Sequence, residues 1–85
     1  MTDGLLSLKV YSAAGVTAEI DHISSVNIRL DNGSLLGIRP GHAPLIASSV
    51  KGDLEYQQEG KKQTLMVNPG ILTVANNLIK ILTTD

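Results

Sequence analysis

No window of helical length in this chain carries apolar residues at the i, i+3, i+4 spacing, while a spacing of two recurs along most of its length. "SVNIRLD" alternates Val26, Ile28 and Leu30 with Asn27, Arg29 and Asp31. Leu6, Leu8 and Val10 alternate with Ser7, Lys9 and Tyr11, and near the end Ile79 and Ile81 flank Lys80 while Leu65 and Val67 flank Met66. Each run therefore turns one face inward and the other toward water. Turn-forming residues separate the runs at Ala14-Gly15, Asp31-Asn32-Gly33, Glu59-Gly60-Lys61, Asn68-Pro69-Gly70 and Asn76-Asn77. Asn, Asp and Gly tolerate the positive φ of tight hairpins, and Pro pre-sets φ at a corner. Strands at such intervals without intervening helices predict one all-β domain over residues 1–85, an antiparallel sandwich or flattened barrel. The best helical candidate is a single short turn around residues 42–48.

A chain of 85 residues sits near the lower limit for an unaided core, and without cysteine it has neither a disulfide staple nor a thiolate metal site. Stability must come from packing Leu, Ile, Val and Ala, because Phe and Trp are absent and Tyr11 and Tyr56 are the only aromatics. Branched aliphatics suit a pleated surface. The net charge of −1, dispersed basic residues and scarcity of aromatic platforms argue against nucleic-acid binding. No apolar run approaches the ~20 residues that cross a bilayer, and "MTDGLLSLKVYS" lacks the pattern of a secretory signal. The chain reads as cytosolic. Asn32-Gly33-Ser34 matches a glycosylation acceptor only by chance on that reading.

Groups for chemistry are sparse. His22 and His42 are the only histidines, and no spacing of acids around them supplies a metal-ligand set. Asp21 and His22, as neighbours on a strand, are expected to point to opposite faces. No serine lies in a Gly-x-Ser-x-Gly elbow, the acids are dispersed over polar faces and turns, and "GSLLGIRPG" lacks the Lys-Ser/Thr and the helix of a phosphate loop. Neither metal, cofactor nor catalytic residue is expected.

The densest local chemistry lies in "GIRPGHAPLI", residues 37–46. Pro40 biases Arg39 toward an extended conformation, Pro44 does the same to Ala43, and Gly41 can adopt a backbone conformation closed to other residues. These constraints describe a rigid corner between two strands. Without an acid–base partner, His42 is expected to hydrogen-bond a loop carbonyl and hold that corner. A fixed loop on a β scaffold is also suited to recognition of a partner.

With these residues in view, the chain resembles the N-terminal domain of the ε subunit of F-type ATP synthases. Gly37, Ile38, Pro40, Gly41, His42, Ala43, Pro44 and Leu45 fit that family's Gly-Ile-x-Pro-Gly-His-Ala-Pro-Leu signature. "VNPGILTVANNLIKILTTD" is similar to its closing segment through Gly70, Ile71, Leu72, Val74, Asn76 and Asn77, and "LSLKVYSAAGV" resembles its first strand and turn. Leu35 stands where an acid is common, Lys51-Gly52 replaces a Pro-Gly pair, and Asn68-Pro69-Gly70 replaces a small-Gly-Gly turn.

The resemblance implies a flattened β-sandwich of about ten short strands and a non-catalytic rotor subunit. Such a subunit binds the γ subunit at the foot of the central stalk and rests on the ring of c subunits. There it couples proton or sodium flow to ATP synthesis or hydrolysis. It implies a place on the cytoplasmic side of the bacterial inner membrane, peripheral to the membrane through the complex and without insertion. Asn32, Gly33, Ser34 and Leu35 are expected on the ring-facing edge, with Arg39 and His42 shaping or flanking it. The family's C-terminal helical hairpin, with any inhibitory or ATP-sensing role, lies outside these residues on this reading. The alternative reading is a free-standing β-sandwich module that binds another protein through an exposed strand edge.

Overall fold

A computed structural model describes residues 5–83. Residues 1–4 and 84–85, which the sequence reading counts within the domain, lie outside the described residues. The described chain is all strand: β1 (Leu6–Ser12), β2 (Gly15–Arg29), β3 (Leu35–Ile38), β4 (Leu45–Ser49), β5 (Gly52–Gln58), β6 (Lys61–Val67), β7 (Gly70–Ala75) and β8 (Leu78–Thr83). The strands follow the order β4-β7-β8-β1-β2-β5-β6, with β3 also paired to β2. The first half of β2 pairs with β1, and its second half lies between β5 and β3. β2 therefore belongs to both layers of the sandwich. Counting its two halves separately would give nine strands, against the about ten that the resemblance implied.

The bend in β2 has a local cause. Its inward residues are Ala18, Ile20, Ile23, Val26 and Ile28, so the spacing of two lengthens to three on either side of Ile23. Each extra residue sits at a register shift, one against β1 and one against β5. The first shift contains His22, which adopts φ 62°. Such bulges bend a strand and increase its twist while returning the next apolar side chain to the core. Gln58 Nε2–H donates to the Asp21 carbonyl at 2.7 Å, and Ser24 Oγ–H donates to the Gln57 carbonyl at 3.2 Å. Both bonds tie the bulged segment to β5.

The alternation read from sequence holds. Leu6, Leu8, Val10, Val26, Ile28, Val67, Ile79 and Ile81 are buried, while Lys80 and Met66 face out. With Ile23, Ile38, Leu54, Leu72 and Val74 they form a wholly aliphatic core, against which Tyr56 and Leu65 pack. Sheet closure comes from an antiparallel bridge between Leu30 and Ser49, supported by Asp31 N–H donating to the Ser48 carbonyl at 2.9 Å.

Two features differ from the expectation. Residues 45–49 form β4 rather than a helical turn, because Pro44 holds Ala43 extended and all five residues find partners along β7. A lone helical turn would fix as much backbone for fewer hydrogen bonds. The β1–β8 pair is parallel, whereas every other strand pair is antiparallel. Ser7 N–H donates to the Asn77 carbonyl at 2.9 Å, so β1 and β8 set out from the same end of the sandwich.

The five turn signals all mark junctions between consecutive strands, with Gly15, Lys61 and Gly70 already the first residues of β2, β6 and β7. In the β5–β6 hairpin Glu59 and Gly60 have φ of 53° and 78°, and in the β7–β8 hairpin Asn76 and Asn77 have 53° and 62°, the positive values a type I′ turn requires.

Two outcomes follow from this geometry. A Cβ at Gly70 would collide with the backbone carbonyl of Leu82 on β8. Gly70→Ala is expected to lower stability by on the order of 3 kcal/mol, read as a lower midpoint in urea unfolding. His22 holds a left-handed conformation that glycine adopts without strain. His22→Gly should therefore leave stability unchanged or raise it by up to about 1 kcal/mol, and a clear loss in the same assay would contradict the bulge account.

Candidate functional site

The residues expected to form one partner-binding edge separate into two loops. Asn32, Gly33 and Ser34 lie in the β2–β3 turn with Leu35 opening β3, whereas Arg39 and His42 lie in the β3–β4 loop. The two loops leave opposite ends of β3, whose four residues span about 10 Å. The structure thus sets these six residues in two groups at opposite ends of β3 rather than along one edge. The reason is simple: a strand carries the chain straight from one loop to the other, and sequence proximity hid that separation.

The β2–β3 turn is held by its own polar groups. Asn32 Oδ1 accepts from Ser34 N–H at 3.0 Å and from Ser34 Oγ–H at 2.6 Å, an Asx turn that fixes the tip. Gly33 supplies φ 89°. Arg29 Nη1 donates to the Gly33 carbonyl at 3.0 Å, and Leu30 N–H donates to the Ser34 carbonyl at 2.8 Å. Beside this polar tip Leu35 is 62% exposed. The arrangement presents an apolar side chain on a stiff mount.

The β3–β4 loop forms a second fixed corner. Gly41 takes φ 84°, and His42 N–H donates to the Arg39 carbonyl at 3.1 Å. His42 Nδ1 lies 2.7 Å from the Ala43 carbonyl oxygen, the geometry of the tautomer that carries its proton on Nδ1. His42 thus meets a loop carbonyl, as the residues around it implied. Gly41 N–H reaches outside the loop to Asn77 Oδ1 at 2.8 Å, which sets the corner on the β7–β8 turn.

His22, the other histidine, lies at the same end as this second loop. It lines a broad concavity with Leu5, Asp21, Asn76 and Asn77. Among the described residues no three His, Cys, Asp or Glu side chains converge on a point that could hold a metal ion. No helix of the described residues is long and apolar enough to cross a membrane.

The outer faces carry apolar residues that sequence reading did not single out. Ile46, inside the signature segment, is 76% exposed because the inward positions of β4 are Leu45, Ala47 and Ser49. Across the outer face of one layer, Ile71 stands opposite Leu82, Leu82 beside Tyr11, and Tyr11 opposite Val16. Directly opposed residues share a face, so these four make an apolar row across four strands. The period of two in each strand held that signal, but only the register aligns one strand's outward apolar residue with the next.

Comparison with known proteins gives the same picture. The model of the "ATP synthase, Delta/Epsilon chain, beta-sandwich domain" family matches residues 5–85. An ATP synthase epsilon chain of Lawsonia intracellularis is 41% identical over 63 residues, which cover 74% of this chain and 47% of that one. One from Desulfitobacterium hafniense is 33% identical over 79 residues, covering 93% of this chain and 58% of the relative. The chain thus spans about half the length of the relatives it matches. Among solved structures, a chain of the Euglena gracilis mitochondrial ATP synthase superposes with TM-score 0.82 at 20% identity, covering all of this chain and 54% of its own. A chain from the central stalk and c-ring of the Tetrahymena thermophila mitochondrial enzyme gives 0.70 at 13%, again over all of this chain and 67% of its own. These two likenesses show the fold. The aliphatic two-layer core, the rigid Pro-Gly-His corner and a family match running from the first described strand to the last residue together make this chain a member of the ATP synthase delta/epsilon family, as its β-sandwich domain.

Proposed function

We propose that the domain is a non-catalytic coupling element of the rotor of an F-type ATP synthase, held between γ and the c-ring at a membrane-bound complex. The observation that carries this reading is the family match over residues 5–85. The physical character of the molecule supports it. A close-packed aliphatic sandwich deforms little under load, and loops fixed by their own hydrogen bonds transmit contact without first being ordered. The opposed loops suit an element with a partner at either end. On this reading the Asn32–Leu35 turn faces the c-ring, and the Arg39–His42 corner faces γ. Leu35 makes the ring contact apolar rather than charged. The row of Val16, Tyr11, Leu82 and Ile71 offers a further apolar face for burial within the assembly. On this reading the domain lies on the cytoplasmic side of the bacterial inner membrane, as a part of the membrane-bound complex that is itself peripheral to the bilayer.

One observation favours the second reading, a free-standing binding module. β6 pairs only with β5 among the described strands and carries Met66 at 61% exposure, so its other edge is open to an added strand. Lys61 and Lys62 on that strand are the charges that natural edges use to discourage such pairing, which weighs against it.

Leu35→Asp separates folding from docking. It should reduce retention of the domain by c-ring purified from the same source about tenfold, equivalent to about 1.4 kcal/mol. The urea unfolding midpoint should move by no more than about 0.5 kcal/mol in stability, as for an exposed substitution. Failure of the unaltered domain to be retained by either γ or c-ring would remove the rotor reading and leave the binding module.

A further inference from the structure

The β7–β8 turn holds Asn77 at a position that glycine would serve at least as well. A type I′ turn is best served by glycine at its second central position, and the β5–β6 hairpin of this chain has Gly60 there. The β7–β8 hairpin instead places Asn77 at that position with φ 62°, a conformation that costs a side-chain-bearing residue more than glycine. Its amide oxygen makes a contact glycine could not. Asn77 Oδ1 accepts the Gly41 N–H at 2.8 Å across 36 residues of sequence.

The loop has little else to fix it to the body of the domain. Pro40 and Pro44 have no N–H to give. The His42 N–H and the His42 ring both bond within the loop. Among the described residues, Gly41 to Asn77 is the one hydrogen bond from residues 40–44 to another segment. The backbone carbonyl of Asn77 meanwhile accepts the Ser7 N–H at 2.9 Å. One residue thus joins the start of β1, the β7–β8 turn and the Pro-Gly-His corner.

We infer that Asn77 is a positioning residue for docking: it locks the Arg39–Pro44 corner in the conformation that a partner subunit meets, and the turn tolerates a strained side chain for that purpose. The inference rests on the proposed rotor reading for the identity of the partner, γ. The tether itself is independent of that reading.

The test uses Asn77→Gly and Asn77→Asp. The glycine variant keeps, or improves, the turn and removes only the acceptor. The aspartate variant keeps an oxygen in the same place. Amide hydrogen exchange of the whole chain should show Gly41 exchanging roughly threefold to tenfold faster in Asn77→Gly, with β8 amides unchanged, and near the wild-type rate in Asn77→Asp. The unfolding midpoint of Asn77→Gly should be equal to or above that of the wild type. Its affinity for purified γ should fall roughly fivefold, because the corner must then be ordered on binding, and Asn77→Asp should restore it.

Unchanged Gly41 exchange in Asn77→Gly overturns the tether. Faster exchange with unchanged γ affinity overturns the positioning role. A lower unfolding midpoint in Asn77→Gly makes Asn77 a stability residue and overturns it as well. If the wild-type chain shows no affinity for γ, the rotor reading and the docking role fail together, while the exchange result still decides the tether.

Discussion

A strand that lies in two layers must keep its apolar side chains inward on both sides of the bend, and the whole sandwich depends on β2 meeting that condition. A one-residue slip in a strand turns every following side chain to the opposite face. Strict alternation from Ile20 would turn Ile23 to solvent and bring His22 and Ser24 into the core, and a single bulge alone would turn Val26 and Ile28 outward. The bulges at His22 and Ser24 prevent this. They also give the chain its corner, so that β5, β6 and β3 fold over β1, β8 and β7. Burial of a Leu or Ile side chain contributes about 1.5–3 kcal/mol, and the core consists of such side chains contributed by both layers. Keeping β2 in phase is therefore a requirement on the stability of the entire domain.

The same geometry sets where the two fixed loops lie. Closing the sheet through Leu30 and Ser49 pins the β2–β3 turn beside the end of β4. β3 and β4 then carry the chain away from that end and back to it, leaving the Pro-Gly-His corner at the far end over the Asn76-Asn77 turn. Each loop is rigid for a different reason. The first is stiffened by Asn32 within itself, the second by prolines, a left-handed glycine and a bond to a remote side chain. On the proposed rotor reading this is an advantage, since a contact that is already ordered loses no conformational entropy when a partner binds.

His42 illustrates how the surroundings of a chemically versatile side chain decide what it meets. An imidazole needs an oriented acid or base beside it to move protons in catalysis. Here its Nδ1 faces the carbonyl of the next residue, and the loop around it holds backbone groups rather than carboxylates. His22 has an equally local role, occupying the extra position of a bulge.

Much of this was legible in the sequence alone. Period-two alternation placed Leu6, Leu8, Val10, Ile79 and Ile81 in the core, and Asn, Asp, Gly and Pro marked every hairpin, because side-chain direction and turn φ are settled by neighbours in the chain. The stiffness of residues 39–44 followed from the fixed φ of two prolines. The tertiary structure alone decided which strands became neighbours, that β1 and β8 run parallel, and that Asn32–Leu35 and Arg39–His42 lie at opposite ends. It also decided that Asn77 meets Gly41. Those facts depend on pairings between segments distant in sequence, where the energy comes from burying two faces against each other, and no local rule records which faces will meet.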